Sequence, residues 1–106
     1  MKIFKYPVEI TDEQFIALPK GANILTVQAK PKPRLQTKMT LEPEKVFLWA
    51  IVDPEETEME DRHILILGTG HDIPEITKTE QCLGYLGTVQ LQNGTLVFHI
   101  FEVMAC

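Results

Sequence analysis

The chain is short of most things that announce a chemistry. No G-x-S-x-G element is present, and the single G-x-G, Gly68-Thr69-Gly70, lacks both the third glycine of a dinucleotide fingerprint and the lysine of a phosphate loop. Those gaps exclude the commonest hydrolase and nucleotide-fold signatures. Cysteine is scarce: Cys82 and Cys106 are the two there are, and one pair so placed makes no metal-ligand spacing. We expect a packed Cys82, a free exposed thiol at Cys106 and a reducing, cytoplasmic setting. The first ten residues alternate instead of running apolar, unlike a secretory leader, and no stretch approaches the length needed to cross a membrane. Positive charge is also lacking. A net charge of −5 argues against general nucleic-acid affinity and leaves local basic patches as the most that is expected. The acidic stretch 53–61 lacks the alternating ligands and central glycine of a calcium loop, and histidines 63, 71 and 99 are scattered, so no metal or other cofactor is expected.

What is present is an ordinary globular composition, 44% hydrophobic and 24% charged over 106 residues, enough for one domain with one core. Phe4, Tyr6, Val8 and Ile10 alternate with Lys5, Pro7 and Glu9, which predicts a half-buried strand, and Pro7 puts it at a sheet edge. The stretch 11–22 is ambiguous. Thr11 and Gln14 fit a helical capping box, whereas Gln14, Ile16 and Leu18 also alternate toward a turn at Pro19-Lys20-Gly21 and a following strand. From Lys30 to Lys45, three prolines and five bases against two acids predict a long basic loop; residues 53–61, with six acids, predict an acidic one. Between them "VFLWAIV" is apolar on both faces, which predicts a central strand covered on both sides with Trp49 in the core. "HILILG" is a shorter version of the same pattern.

The clearest local signal is at the end. Two strand-like runs meet at Asn93-Gly94, the pair that tolerates a type I′ hairpin turn. Closing the hairpin there sets Leu91 against Leu96, Val89 against Phe98, Thr88 against His99, Gly87 against Ile100, Leu86 against Phe101 and Tyr85 against Glu102. His99 then lies on an apolar face and needs Thr88 or Gln90 as a partner. Two strands that are apolar on both faces are many for so small a chain, which raises a homo-oligomeric interface as one way of covering them. The predicted fold is all-β: a small antiparallel sandwich or open barrel of six to seven strands with a C-terminal hairpin.

One loop carries site-like chemistry. After "HILIL", Gly68 and Gly70 let the backbone turn with exposed amides, Thr69 adds a hydroxyl, and His71 and Asp72 add a donor and an acceptor. The stretch is either a tight turn or a nest for a carboxylate or phosphate. In the second case Arg62 supplies charge and an aromatic, Tyr85 or Trp49, stacks on a base. The candidate ligand-binding set is therefore Arg62, Gly68, Thr69, Gly70, His71, Asp72 and Tyr85. His71 as a general base is a further alternative, although an adjacent Asp72 on extended chain points to the opposite face.

"FKYPVEITDEQ", "LPKGANILTVQ", "LWAIVDP", "RHILILGTGHDIP" and "YLGTVQLQNGTLVFHIFE" together resemble a family of small uncharacterised proteins of tailed phages and prophages, most specifically at G-T-G-H-x-I-P and L-V-F-H-x-F-E. The loop at 30–45 is longer than that pattern. The resemblance implies a phage accessory protein acting in the host cytoplasm and transfers no catalytic residue. By analogy with such proteins two binding functions are expected, occluding a host defence protein or sequestering a nucleotide immune signal; a small hydrolase using His71 is the alternative of a different class.

Overall fold

The computed structural model describes residues 1–30, 45–73, 81–92 and 94–105. Among these there are seven strands and no helix: β1 (Lys2–Val8), β2 (Glu13–Pro19), β3 (Asn23–Ala29), β4 (Val46–Val52), β5 (Met59–Gly68), β6 (Gln81–Leu91) and β7 (Leu96–Ala105). They form two antiparallel sheets, one of order β1-β4-β3 and one of order β2-β5-β7-β6. The sheets face each other as an open sandwich and do not close into a barrel. No described helix is long and apolar enough to cross a membrane.

Alternation decides which side chains meet between the sheets. Val46, Leu48, Ala50 and Val52 of β4 point inward with Val8 and Val27 from its neighbours, and Leu18, Ile64, Ile66, Val89, Leu91 and Ile100 oppose them. Thr11 and Gln14 do not start a helix. Gln14 folds its amide back onto the Glu9 backbone, accepting from Glu9 N at 3.1 Å and donating to Glu9 O, so the capping chemistry closes a turn before β2. The turn at Pro19-Lys20-Gly21 then carries the chain from one sheet to the other, with Gly21 at φ +81.

β1 is an edge strand, as Pro7 requires, and β4 is the centre of its sheet. Trp49 departs from expectation. Phe47, Trp49 and Ile51 occupy the outer face of β4, half-buried, because the inner face takes the even-numbered residues and no described element covers the other side. The acidic stretch is also shorter as a loop than expected: Glu60 and Asp61 already belong to β5, which reaches back to Met59 and pairs there with Pro19. The long loop falls almost wholly outside the described residues.

The closing hairpin keeps the expected register from Leu91–Leu96 down to Gly87–Ile100 and then shifts by one. Leu86 is extruded as a bulge, so Tyr85, not Leu86, faces Phe101, and Gly84, not Tyr85, faces Glu102. A bulge leaves two residues opposite one and bends the strand. Here it turns β6 toward β3: a Cβ at Gly87 would stand 2.9 Å from Val27 Cγ2, and the Thr26 hydroxyl donates to the carbonyl of the bulged Leu86 at 3.4 Å. This seam joins the two sheets along one side. At the hairpin tip Thr95 N donates to Gln92 O at 3.2 Å, with Gly94 at φ +85 and Gln92 at φ +50; Asn93 lies outside the described residues.

Cys82 corrects another expectation. It is exposed and disulfide-bonded, neither packed nor a thiol, so the cysteines give no argument for a reducing compartment. Cys106 lies outside the described residues.

Candidate functional site

The loop after β5 folds as a tight turn. His71 N donates to Gly68 O at 3.1 Å and Gly70 takes φ +87, the backbone that glycine provides at the third position of a type II turn. Thr69 N is also engaged, donating to Val97 O at 3.4 Å. Two of the amides that an anion nest would use are thus turned to the protein's own carbonyls. The His71 ring lies against Gly68, where a Cβ would come within 2.7 Å of it. Asp72 is exposed.

The Thr69 hydroxyl reaches across to His99 and is 2.8 Å from Nε2, while Thr88 Oγ1 is 3.0 Å from Nδ1 and in turn 2.5 Å from the Tyr85 hydroxyl. Strand pairing sets this row, since Leu67, His99 and Thr88 stand side by side on β5, β7 and β6. A neutral imidazole is satisfied by two hydroxyls: one ring N–H donates to one threonine and the other threonine donates to the bare ring nitrogen. Thr88 is the partner expected from the hairpin, and Thr69 takes the place given to Gln90. Among the described residues no carboxylate contacts the ring, and its two hydroxyl partners help to hold the turn against β7.

Arg62 does not belong to this cluster. It lies six residues before Gly68 on the same strand, about 20 Å away at the usual strand rise, and it points inward. Its Nε donates to Glu102 Oε2, Nη2 donates to Glu102 Oε1 at 3.0 Å, and Nη1 donates to Ala22 O at 2.7 Å and to Glu60 Oε1 at 3.3 Å. The hydrogen bond to Glu102 raises the guanidinium's pKa against the opposing effect of burial. A cation held by three internal acceptors is a structural one. Of the predicted set, the structure brings Gly68, Thr69, Gly70, His71 and Tyr85 to one region, with Asp72 beside them, and sets Arg62 apart.

The hydroxyl row is one border of a larger surface. Across the outer side of the four-stranded sheet, a second row runs Glu13–Leu65–Phe101–Tyr85 and a third Phe15–His63–Val103–Leu83. Phe15 stacks on His63 with centroids 4.6 Å apart, and Tyr85 tilts against Phe101 at 5.6 Å. Phe15 and Tyr85 are 61% and 62% exposed, high values for aromatics. His63 Nε2 stands 3.2 Å from Glu13 Oε2 without hydrogen-bond geometry. The alternation of β5 and β7 hinted at such a face, but which residues of four strands align was beyond reach until the order and registers were known. Among the described residues no group of three His, Cys, Asp or Glu side chains is placed to hold a metal.

No curated protein and no solved structure matches the chain. A family model matches it over residues 1–105, nearly end to end, and the chain accordingly belongs to the family described as a domain of unknown function, DUF7352.

Proposed function

We propose that this chain acts by binding a protein partner through the outer face of its four-stranded sheet, as a phage accessory protein that occludes a host defence protein. The observation that carries the reading is the three-row face itself, in which Phe15 and Tyr85 stand exposed at opposite edges of an apolar floor. Aromatic residues with few charges mark the centre of protein interfaces. Of the side chains in those rows, Glu13 alone is a carboxylate and none is a lysine or arginine, which suits a protein surface better than an anionic small molecule. The resemblance to phage and prophage proteins supports the biological setting.

The other two readings are less favoured at the Gly68–His71 turn. Sequestering a nucleotide there loses its cation, because Arg62 is committed to Glu102. Hydrolysis through His71 lacks a partner, since the ring rests on Gly68 and no described carboxylate orients it.

The test is reconstitution. The tagged chain is expressed in a bacterium carrying defence systems, the captured protein is identified, and the pair is re-formed from two purified components. Phe15→Asp and Tyr85→Asp each weaken that complex about tenfold or more, as loss of an interface anchor does, with melting unchanged. A reconstituted complex indifferent to both substitutions, or self-association by light scattering that both substitutions abolish, refutes the reading.

A further inference from the structure

The opposite side of the sandwich carries a second, chemically different surface. On the outer face of β4, Trp49 stands between Lys5 of β1 and Thr26 of β3, and Phe47 between Pro7 and Gln28. Lys5, Gln28, Ala29, Lys30, Phe47 and Trp49 line a groove of about 180 Å³. Three features set it apart from an ordinary half-buried strand face. First, its charge is positive in a chain of net charge −5, and among the described residues neither Lys5 nor Lys30 pairs with a carboxylate. Second, the Nζ of the exposed Lys5 lies 4.8 Å from the Phe47 ring centroid, so the cation stands over an aromatic floor at the rim of the groove. Third, no described ring packs on Trp49.

We infer that this groove is a nucleotide site, in which a base stacks on Trp49, the Gln28 amide meets the base edge and the phosphates engage Lys5 and Lys30. An aromatic platform beside lysines is the combination that holds nucleotides without a phosphate loop: stacking accepts any base, and ammonium groups act as point charges for phosphate. Gln28 offers a donor and an acceptor together, the pair that matches an adenine edge. Size limits the occupant. A groove of 180 Å³ is smaller than the roughly 300–1,000 Å³ that encloses a drug-sized ligand; it takes one ring system and leaves the phosphates at the lysine rim. A long polyanion is disfavoured by the chain's net charge. This site is independent of the partner-binding face, which lies on the other sheet.

The chain contains one tryptophan, so its fluorescence reports this groove alone. ATP, GTP, UTP, adenosine, inorganic phosphate and a dT oligomer are titrated against Trp49 emission, with calorimetry as a second readout for Trp49→Leu. Saturable quenching by a nucleoside triphosphate at sub-millimolar concentration is expected, with weaker quenching by adenosine and none by phosphate. Lys5→Glu weakens ATP roughly tenfold or more, the scale of one charge-assisted contact, and leaves adenosine unaltered; Gln28→Ala narrows the difference between ATP and UTP. Melting curves confirm that each variant is folded. Absence of saturable quenching up to several millimolar, equal loss of ATP and adenosine in Lys5→Glu, or binding of the oligomer alone overturns the assignment.

Discussion

Removing Glu102 tests whether Arg62 is a structural cation. The carboxylate side chain is 6% exposed and the guanidinium 18%, and they meet through two hydrogen bonds. A guanidinium cannot relieve its own burial by losing a proton, and here its pKa is raised further by Glu102. Glu102→Ala therefore leaves a charge between the sheets with a backbone carbonyl and the half-exposed Glu60 as its remaining partners. Breaking a fully buried pair costs about 3–5 kcal/mol. Arg62 keeps some water and its contact to Glu60, so we expect about 2–4 kcal/mol, or roughly 10–25 °C in Tm for a domain of this size. Arg62→Met should be destabilising too, because it also orphans the Ala22 carbonyl in the turn between β2 and β3. Arg62→Met with Glu102→Leu replaces both charges by apolar groups and should recover much of the loss. Urea denaturation of the parent, Arg62→Met, Glu102→Leu and the double variant gives the coupling directly, expected above about 1.5 kcal/mol. Additivity within about 0.5 kcal/mol, or an Arg62→Met protein that melts like the parent, would refute the pairing and return Arg62 to the ligand-binding candidates.

Four further substitutions probe the frame around the site. Gly87→Val drives a branched side chain into Val27, itself buried, and should cost about 1–3 kcal/mol by overpacking; an unchanged urea midpoint would mean that β3 and β6 are not in contact. Gly94→Val meets only the movable end of Gln90 but must hold φ near +85, so a loss of roughly 1–3 kcal/mol in thermal melting would be backbone strain, and no loss would displace the hairpin tip. Thr69→Ala should cost about 1 kcal/mol by leaving His99 Nε2 without its hydroxyl, whereas His71→Ala should stay within about 0.5 kcal/mol of the parent; the reverse order in calorimetry would show that His71, not Thr69, ties the turn down.

Local chemistry was legible in the sequence wherever a residue type permits few backbones. Asn93-Gly94 located the hairpin, Pro7 the edge strand, and Gly68 with Gly70 the turn after β5. Alternation likewise named Tyr6 and Val8 as inward residues of β1, but on β7 it set His99 on the apolar face, whereas the structure turns that face outward and buries Ile100 and Glu102. What alternation cannot do is say whether a strand's second face is covered, because that depends on which sheets stack. Trp49 is the case in point: "VFLWAIV" has one face in the core and one outside, and the identical pattern would suit a strand sandwiched on both sides. Arg62 shows the same limit. Which side chain an inward-facing residue meets on the next strand depends on strand order, and here that partner is Glu102, forty positions away.

The bulge at Leu86 shows how one unpredicted residue reorganises the surface. Without it, β6 would keep the register of the hairpin tip to its open end, Leu86 would join Phe101 on the outer face, and Tyr85 would point between the sheets opposite Glu102. With it, Leu86 packs inward and Tyr85 comes out beside Phe101, within reach of Thr88. A one-residue slip exchanges the two faces of a strand. Here the exchange brings the aromatic ring to the border of the His99 row and leaves Glu102 for Arg62. Gly84 and Gly87 flank the slip, and each has a close neighbour where a Cβ would stand, the Met104 side chain for one and Val27 for the other. The two glycines thus leave room for those neighbours on either side of the bulge, and the exposed face on which Tyr85 stands is built around them.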